Sequence, residues 1–474
     1  MSAARIGVFG IGLEAYWGQF TSLKKKLEGY QQHVETQLLE IGAEVISAGL
    51  VDSHSSAQTA GDLFARADLD LLICYVGTYA TSSTVLPVAQ RAKVPVLVLN
   101  LQPVAALDYE NTDTALWLES CCACCVPEIS NAFTRAGIQF NVVSGQLFGD
   151  ARAWTQIGDW ARAASVKRSL SRSRIGFLGH TYPGMLDMYS DFTAITAQTG
   201  AHIEILEMED LEACIDAVTD AELAAKKLEI SAVFDIAEAG RDQISVPITE
   251  EGFAWSARVA CGLDRLANDF DLQGLTYYYR GLNGNRFEQI WSGLIVGNSL
   301  LTARGIPAAG EGDLKTCLAM KILDSLGAGG SYTEFYAMDF VDNFVLMGHD
   351  GPGHIAISDA RPILRGLGVY HGKRGAGISV EFSVKHGPVT ILGVTQTADG
   401  KLKLLAAQGE SIAGPRLQIG NTNSRLKFSR EPAQFMDAWC AEGPTHHVAL
   451  GIGHEIGALR KFARLSGMEF KEIA

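Results

Sequence analysis

A continuous apolar strand closing on glycine, Ile6-Gly7-Val8-Phe9-Gly10, opens a succession of alternating strands and helices, and the same device restarts at Ile175-Gly176-Phe177-Leu178-Gly179. Strands that are apolar on both faces need cover on both faces. Such runs separated by helices therefore specify parallel sheets packed between helical layers. In the first round the strands fall at 6–10, 44–49, 69–75 and 94–100, with helices expected near 22–41 and 57–67. The second round places strands at 203–206, 232–235 and 274–279 and a helix over 250–270. The stretch 165–173, dense in Ser, Arg and Lys, reads as the linker between the two rounds.

Beyond Gly330 the period changes to two. Residues 378–384, 389–394 and 402–407 alternate apolar and polar or small side chains, and Asp399-Gly400 supplies a turn. That pattern predicts an antiparallel sheet or barrel. The expected fold class is α/β, with two doubly wound parallel-sheet domains over 1–170 and 171–328 and a C-terminal antiparallel, β-rich, barrel-like domain over 329–474. A chain of 474 residues exceeds what one core holds, which agrees with several domains.

A net charge of −14 argues against nucleic acid or an anionic membrane as partner, since both reward a basic face. No apolar run reaches the length of a membrane span, and the N-terminus reads as a strand rather than a leader, so a cytoplasmic protein is expected. The nine cysteines do not resemble a secreted disulfide framework. Four lie in Cys121-Cys122-Ala123-Cys124-Cys125, with no second CxxC to complete a tetrahedral site. The segment 117–129 around them looks like a buried helix in which cysteine acts as a small hydrophobe, with a pocket-lining role as the alternative.

Chemistry is carried by four side chains far apart in the chain. Glu311 lies in Gly310-Glu311-Gly312-Asp313, between an apolar approach and a helix expected over 313–325. Ligands gather at such strand–helix junctions in α/β folds, although Glu311 and Asp313 would also serve simply to complement the helix dipole. Glu334 sits among Tyr332, Phe335 and Tyr336, with Asp339 and Asp342 as rival carboxylates. Seven of the 11 histidines fall in the last third. His349 and His354 straddle a Gly-Pro-Gly turn that can present either one, and His446-His447 tops an apolar run. Two carboxylates with two imidazoles suit a divalent ion of the Mn, Co or Fe type. The glycines after the first strands lack the spacing of a dinucleotide site, and neither a Walker A loop nor a G-x-S-x-G elbow occurs.

Gly310-Glu311-Gly312-Asp313-Leu314-Lys315-Thr316, the Glu334 segment, Leu346-Met347-Gly348-His349 and Thr445-His446-His447 occur in the order found in L-arabinose isomerases. Arg361-Pro362-Ile363-Leu364 and the tail around 458–463 extend this resemblance, which is firmest from about residue 255 to 470; L-fucose isomerases are more distantly similar. The resemblance implies a metal-dependent aldose–ketose isomerase acting on an unphosphorylated sugar through a cis-enediol. It further implies Glu311, Glu334, His349 and His447 as ligands of Mn²⁺, or of Co²⁺ or Mg²⁺. Glu311 and Glu334 would also be the acid/base pair, and Gln19, Tyr279 and His446 would contact substrate. The partner implied is a monosaccharide, and the assembly a homo-oligomer, hexamer or trimer, with active sites at subunit interfaces. The chain departs from the family at 121–125, where arabinose isomerases carry a polar stretch facing the sugar, so the sugar itself stays open. The competing expectations are a non-catalytic carbohydrate-binding protein on an isomerase fold, and a metal-dependent sugar-acid lyase or epimerase with Lys373 or Arg374 holding a carboxylate.

Overall fold

The computed structural model describes residues 3–238, 242–280, 284–370 and 373–474, and no side chain within 369–376. The chain divides into two compact units, Met1–Ser169 and Leu170–Ala474. The first holds a five-stranded sheet of β1 (Arg5–Ile11), β2 (Glu44–Val51), β3 (Leu71–Tyr75), β4 (Val96–Gln102) and β5 (Phe140–Gln146). Its order is β2-β1-β3-β4-β5 and every pairing is parallel, so the connections reverse direction between β1 and β3 as in doubly wound folds. β3 is buried along its whole length, as its unbroken apolar run requires.

Two expectations in this unit are corrected. Residues 165–173 contain the boundary between the two units, as a linker would, but fall largely in a helix, Ala151–Ser171. Ala163, Ala164, Val166 and Leu170 are buried, while Arg168 reaches Asp68 at 3.0 Å and Asp70 at 3.1 Å. The polar density belongs to a helix whose Arg168 is buried and ion-paired and whose Ser165, Lys167 and Ser169 are half-buried. Nor is 117–129 one buried helix: it breaks into Thr114–Leu118 and Val126–Arg135, with Trp117 45% exposed. Pro127 sits in the first turn of the second helix, where its missing N–H costs nothing; inside a continuous helix it would remove a hydrogen bond. Cys122 and Cys125 join the core of this unit, Cys121 is buried, and Cys124 is exposed.

The second unit opens with β6 (Arg174–Gly179) and β7 (His202–Leu206), then two short strands, β8 (Asp235–Ile236) and β9 (Ser245–Val246), then β10 (Gly274–Tyr278) and β11 (Ala308–Ala309). Of the strand expected at 232–235, residues 232 and 233 end a helix, Asp220–Val233, fixed at its start by a capping box between Thr219 and Glu222, and Asp235 opens the two-residue β8. A parallel sheet runs β11-β10-β6-β7.

The rest of the chain adds β12 (Gly329–Asp339), β13 (Phe344–His349), β14 (Ile363–Tyr370), β15 (Lys373–Glu381), β16 (Gly387–Gln396), β17 (Leu402–Ile412), β18 (Thr422–Lys427), β19 (His447–Ile452) and β20 (Glu469–Glu472). Six of these close into an antiparallel ring, β16-β19-β12-β13-β18-β17 and back to β16, with β20 added parallel to β17. Closure removes the open edges that such strands would otherwise present. β14 pairs with β15, β8 and β9 in a separate small sheet, so the central segment and the C-terminal third share a sheet. The helix Leu314–Ser325 is buried on nearly every side because it packs on β10 and β11 and also on β12, β16 and β19.

Candidate metal and proton-transfer site

Antiparallel register brings the distant residues together. Glu334 of β12 stands opposite His447 of β19 and, on its other edge, opposite Gly348 of β13, the residue before His349. The Nε2 atoms of His349 and His447 approach to 3.2 Å, and both rings are buried. Tyr332, two residues before Glu334, packs its ring 4.5 Å from each of theirs.

Glu311 arrives from the other sheet, in the loop after β11. Gly312 N–H donates to the Tyr277 carbonyl at 2.9 Å and Tyr182 N–H donates to the Glu311 carbonyl at 2.8 Å, lacing the loops at the carboxyl ends of β6, β10 and β11. Glu311 has φ +62° and Gly312 φ +72°. A Cβ on Gly312 would lie 2.5 Å from the His180 carbonyl oxygen, so only glycine fits there. A non-glycine residue held left-handed costs about 1–3 kcal/mol, strain of the kind that collects at functional sites. The Glu311 carboxylate ends 3.9 Å from His349 Nε2.

Asp313 is fully buried and does two jobs. As the cap of the following helix it accepts from Thr316 N–H at 3.0 Å and from the Thr316 hydroxyl at 2.7 Å. Its other oxygen-borne contact is His447 Nδ1 at 3.1 Å. A buried carboxylate needs donors, so Nδ1 carries hydrogen, and the Tyr332 oxygen 2.8 Å away shares it while the Tyr332 hydroxyl donates to the Gly310 carbonyl at 3.3 Å. That tautomer leaves the His447 Nε2 lone pair aimed at His349. On the far side of His349 the Asp350 carboxylate lies 3.4 Å from Nδ1. His447, with a carboxylate at Nδ1 and its Nε2 beside His349, has the arrangement that orients metal-binding histidines.

Burial works to raise the proton affinity of Asp313, but the hydrogen bond and charge of His447, with Thr316 and Lys315, outweigh it and hold the carboxyl below its usual range. For His447 burial disfavours the cation, yet Asp313, Glu311 and Glu334 prevail and raise its pKa. The pocket thus favours positive charge. Glu334 is raised, chiefly by burial and further by Glu311 and Asp350, against the lowering effect of His447 and His446. A carboxyl so placed holds a proton more readily than an exposed one, as a group that takes and returns a proton must.

Among the described residues, two groups bring their ligand atoms within 4.8 Å of one another: Glu334, His349 and His447, and Glu311, His446 and His447. Oxygen and imidazole donors of this kind fit a divalent first-row ion. Each of the four expected ligands therefore lies in one group or the other, and His447 lies in both. His446 is drawn in as well, its Nδ1 2.6 Å from Asp187. Tyr279 packs on Phe287 and accepts from Asn285 at 3.0 Å, whereas Tyr277 lines the small cavity beside Glu311, His349 and Asp350. Gln19 belongs to the first unit, where it is exposed and donates to the Ala15 carbonyl at 3.0 Å.

His354 is buried away from both groups, its N–H donating to Ser331 Oγ at 3.1 Å. Asp339 turns to the opposite end of β12, where it accepts from the N–H groups of Val341 and Asp342. The side chains of Lys373 and Arg374 lie outside the described residues. Sequence reasoning missed Asp187 and Asp350, and gave Asp313 no role beyond complementing the helix dipole; nothing local marks Asp187, whose partner is 259 positions away.

The L-arabinose isomerase central-domain profile matches residues 190–329, and the L-arabinose isomerase C-terminal-domain profile matches residues 329–469. An L-arabinose isomerase of Nocardioides sp. is 24% identical over 469 residues, covering 93% of this chain and 90% of its own. Those of Serratia proteamaculans and Yersinia pseudotuberculosis are each 24% identical, covering 70% of this chain and 66% of theirs. A solved periplasmic solute-binding protein from Actinobacillus succinogenes with bound D-allose aligns over 68% of this chain and 92% of its own at 12% identity and a TM-score of 0.17, too small an overlap to carry an argument. The two domain profiles together span more than half of the chain, and their shared boundary lies at β12, the strand that carries Glu334. The chain belongs to the L-arabinose isomerase family of aldose–ketose isomerases.

Proposed function

We propose that this protein is a divalent-cation-dependent isomerase of an unphosphorylated aldose, working through a cis-enediol, with Glu311 and Glu334 as the proton-transfer pair. The observation that carries the reading is the convergence of His349 and His447 Nε2 at 3.2 Å beside Glu334, with Asp313 fixing the tautomer behind. Glu311, Glu334, His349 and His447 would hold the ion, Mn²⁺ first, with Co²⁺ or Mg²⁺ as substitutes. When bound, such an ion supplies positive charge where negative charge develops on the sugar oxygens.

The remaining work falls to the chain. One carboxylate removes the proton from C2 beside the aldehyde while O1 gains one, giving the cis-enediol; O2 then loses its proton as C1 gains one, leaving the ketose. Glu334, half-buried and with its proton affinity raised, is suited to that transfer. Glu311, held by the laced loops, has its carboxylate near His446 and His447. L-arabinose, the sugar in the relatives' names, is the first substrate to test. The reading includes three domains, 1–170, 171–328 and 329–474, and a homo-oligomer, hexamer or trimer, which sedimentation would count.

Glu311→Gln and Glu334→Gln each remove the proton acceptor while keeping shape. Each should lower turnover by at least about a hundredfold without changing the melting temperature by more than a few degrees. Isomerisation surviving in either variant would sink the assignment.

A further inference from the structure

His446 is gripped from outside its own strand. Asp187, in the single turn Leu186–Met188, accepts with one oxygen both the His446 backbone N–H at 2.9 Å and His446 Nδ1 at 2.6 Å. The turn is itself tied down. Lys315, 1% exposed, donates to the Tyr189 carbonyl at 2.9 Å and to Ser190 Oγ at 3.1 Å. Ser190 Oγ donates to the Met188 carbonyl at 2.9 Å, and Tyr182 N–H, at the start of the same segment, donates to the Glu311 carbonyl at 2.8 Å. A buried lysine spent on two neutral oxygens of this segment fixes where Asp187 stands. The His446 ring lies 3.7 Å from the His447 ring, and one of its nitrogens falls in the group with Glu311.

We infer that Asp187 is a positioning residue: it locks His446 in the Nδ1–H tautomer, so that the bare Nε2 accepts a hydrogen bond from a sugar hydroxyl beside Glu311. This rests on the isomerase reading above. Asp187 touches no substrate; it acts through His446. Because the backbone N–H and Nδ1–H converge on one oxygen, an asparagine there must turn its own oxygen, not its NH₂, toward both. Asn at 187 therefore preserves the tautomer, and Ala does not.

The test compares wild type, Asp187→Ala and Asp187→Asn in the full chain. Three quantities are measured: Mn²⁺ affinity of the metal-free protein, affinity of the Mn²⁺-loaded protein for a panel of pentitols by calorimetry, and KM against kcat on the best aldose. Asp187→Ala should weaken pentitol binding and raise KM about tenfold, leave kcat within about threefold and leave Mn²⁺ affinity within about twofold. Asp187→Asn should recover wild-type binding and KM within about threefold. The inference is overturned if Ala leaves KM and pentitol affinity within twofold of wild type, if Asn fails as badly as Ala, or if Ala weakens Mn²⁺ binding tenfold. The last result would make His446 a metal ligand. A wild-type protein that neither binds pentitols nor forms ketose removes the isomerase reading and this inference with it; an active wild type with an unaffected Ala variant removes this inference alone.

Discussion

Asp313 is the residue on which two levels of structure depend. It caps the helix Leu314–Ser325 and points His447 Nε2 toward His349. Replacing such an orienting carboxylate lowers metal affinity by about 10–100-fold in other sites. Asp313→Ala should therefore weaken Mn²⁺ binding by that factor in a calorimetric titration, and an unchanged affinity would mean that His447 does not ligate. Thiol chemistry offers a second check at this scale. Burial, then neighbouring Cys124, pushes the Cys121 thiol up to about 12, and burial pushes Cys125 up to about 11. Below those values the thiolate is scarce, and the thiolate is the nucleophile. At pH 8 iodoacetamide should label the exposed Cys124 and Cys440 in the native protein long before Cys121 or Cys125, as peptide mass mapping would register. Equal labelling of all four would contradict the buried placement.

At the level of elements, the site depends on one turn and three strands. The turn at Glu311-Gly312 needs two successive left-handed residues, and Gly312 has no room for a side chain against His180. Gly312→Ala should cost more than about 1 kcal/mol of stability and displace Glu311, so that activity falls further than the change in melting temperature explains. An active variant of normal stability would show that the turn tolerates a side chain. Much of this level is legible in the sequence. Apolar runs mark β1, β3 and β4, alternation marks β16 and β17, and Asp399-Gly400 lies in the turn that joins them. Glu311, Glu334, His349 and His447 stand out because acids and histidines interrupt apolar segments. The polar stretch 165–173 misleads because a helix and a linker share a composition until the partners of Arg168, Asp68 and Asp70, are known. Asp187 is invisible for a similar reason: its meaning lies entirely in a contact made across the fold.

At the level of the second unit, a parallel sheet supplies loops at its carboxyl end and a closed antiparallel ring supplies rigid strands, with the helix Leu314–Ser325 packed between them. Glu311 comes from the first of these and Glu334, His349 and His447 from the second. A cation joining them would bind only the folded chain, and by mass action would stabilise it by about 2.7 kcal/mol at a hundred times its dissociation constant. The central claim, that these four side chains form the cation site of an aldose isomerase, is tested most directly by one assay. Chelator-stripped protein is mixed with L-arabinose and a panel of other pentoses, hexoses and deoxy sugars, and ketose is measured before and after Mn²⁺ is restored. The account predicts no ketose from the stripped protein and steady ketose formation from at least one aldose once the ion returns. Equal turnover with and without the ion, or tight sugar binding with no ketose from any aldose, would contradict it.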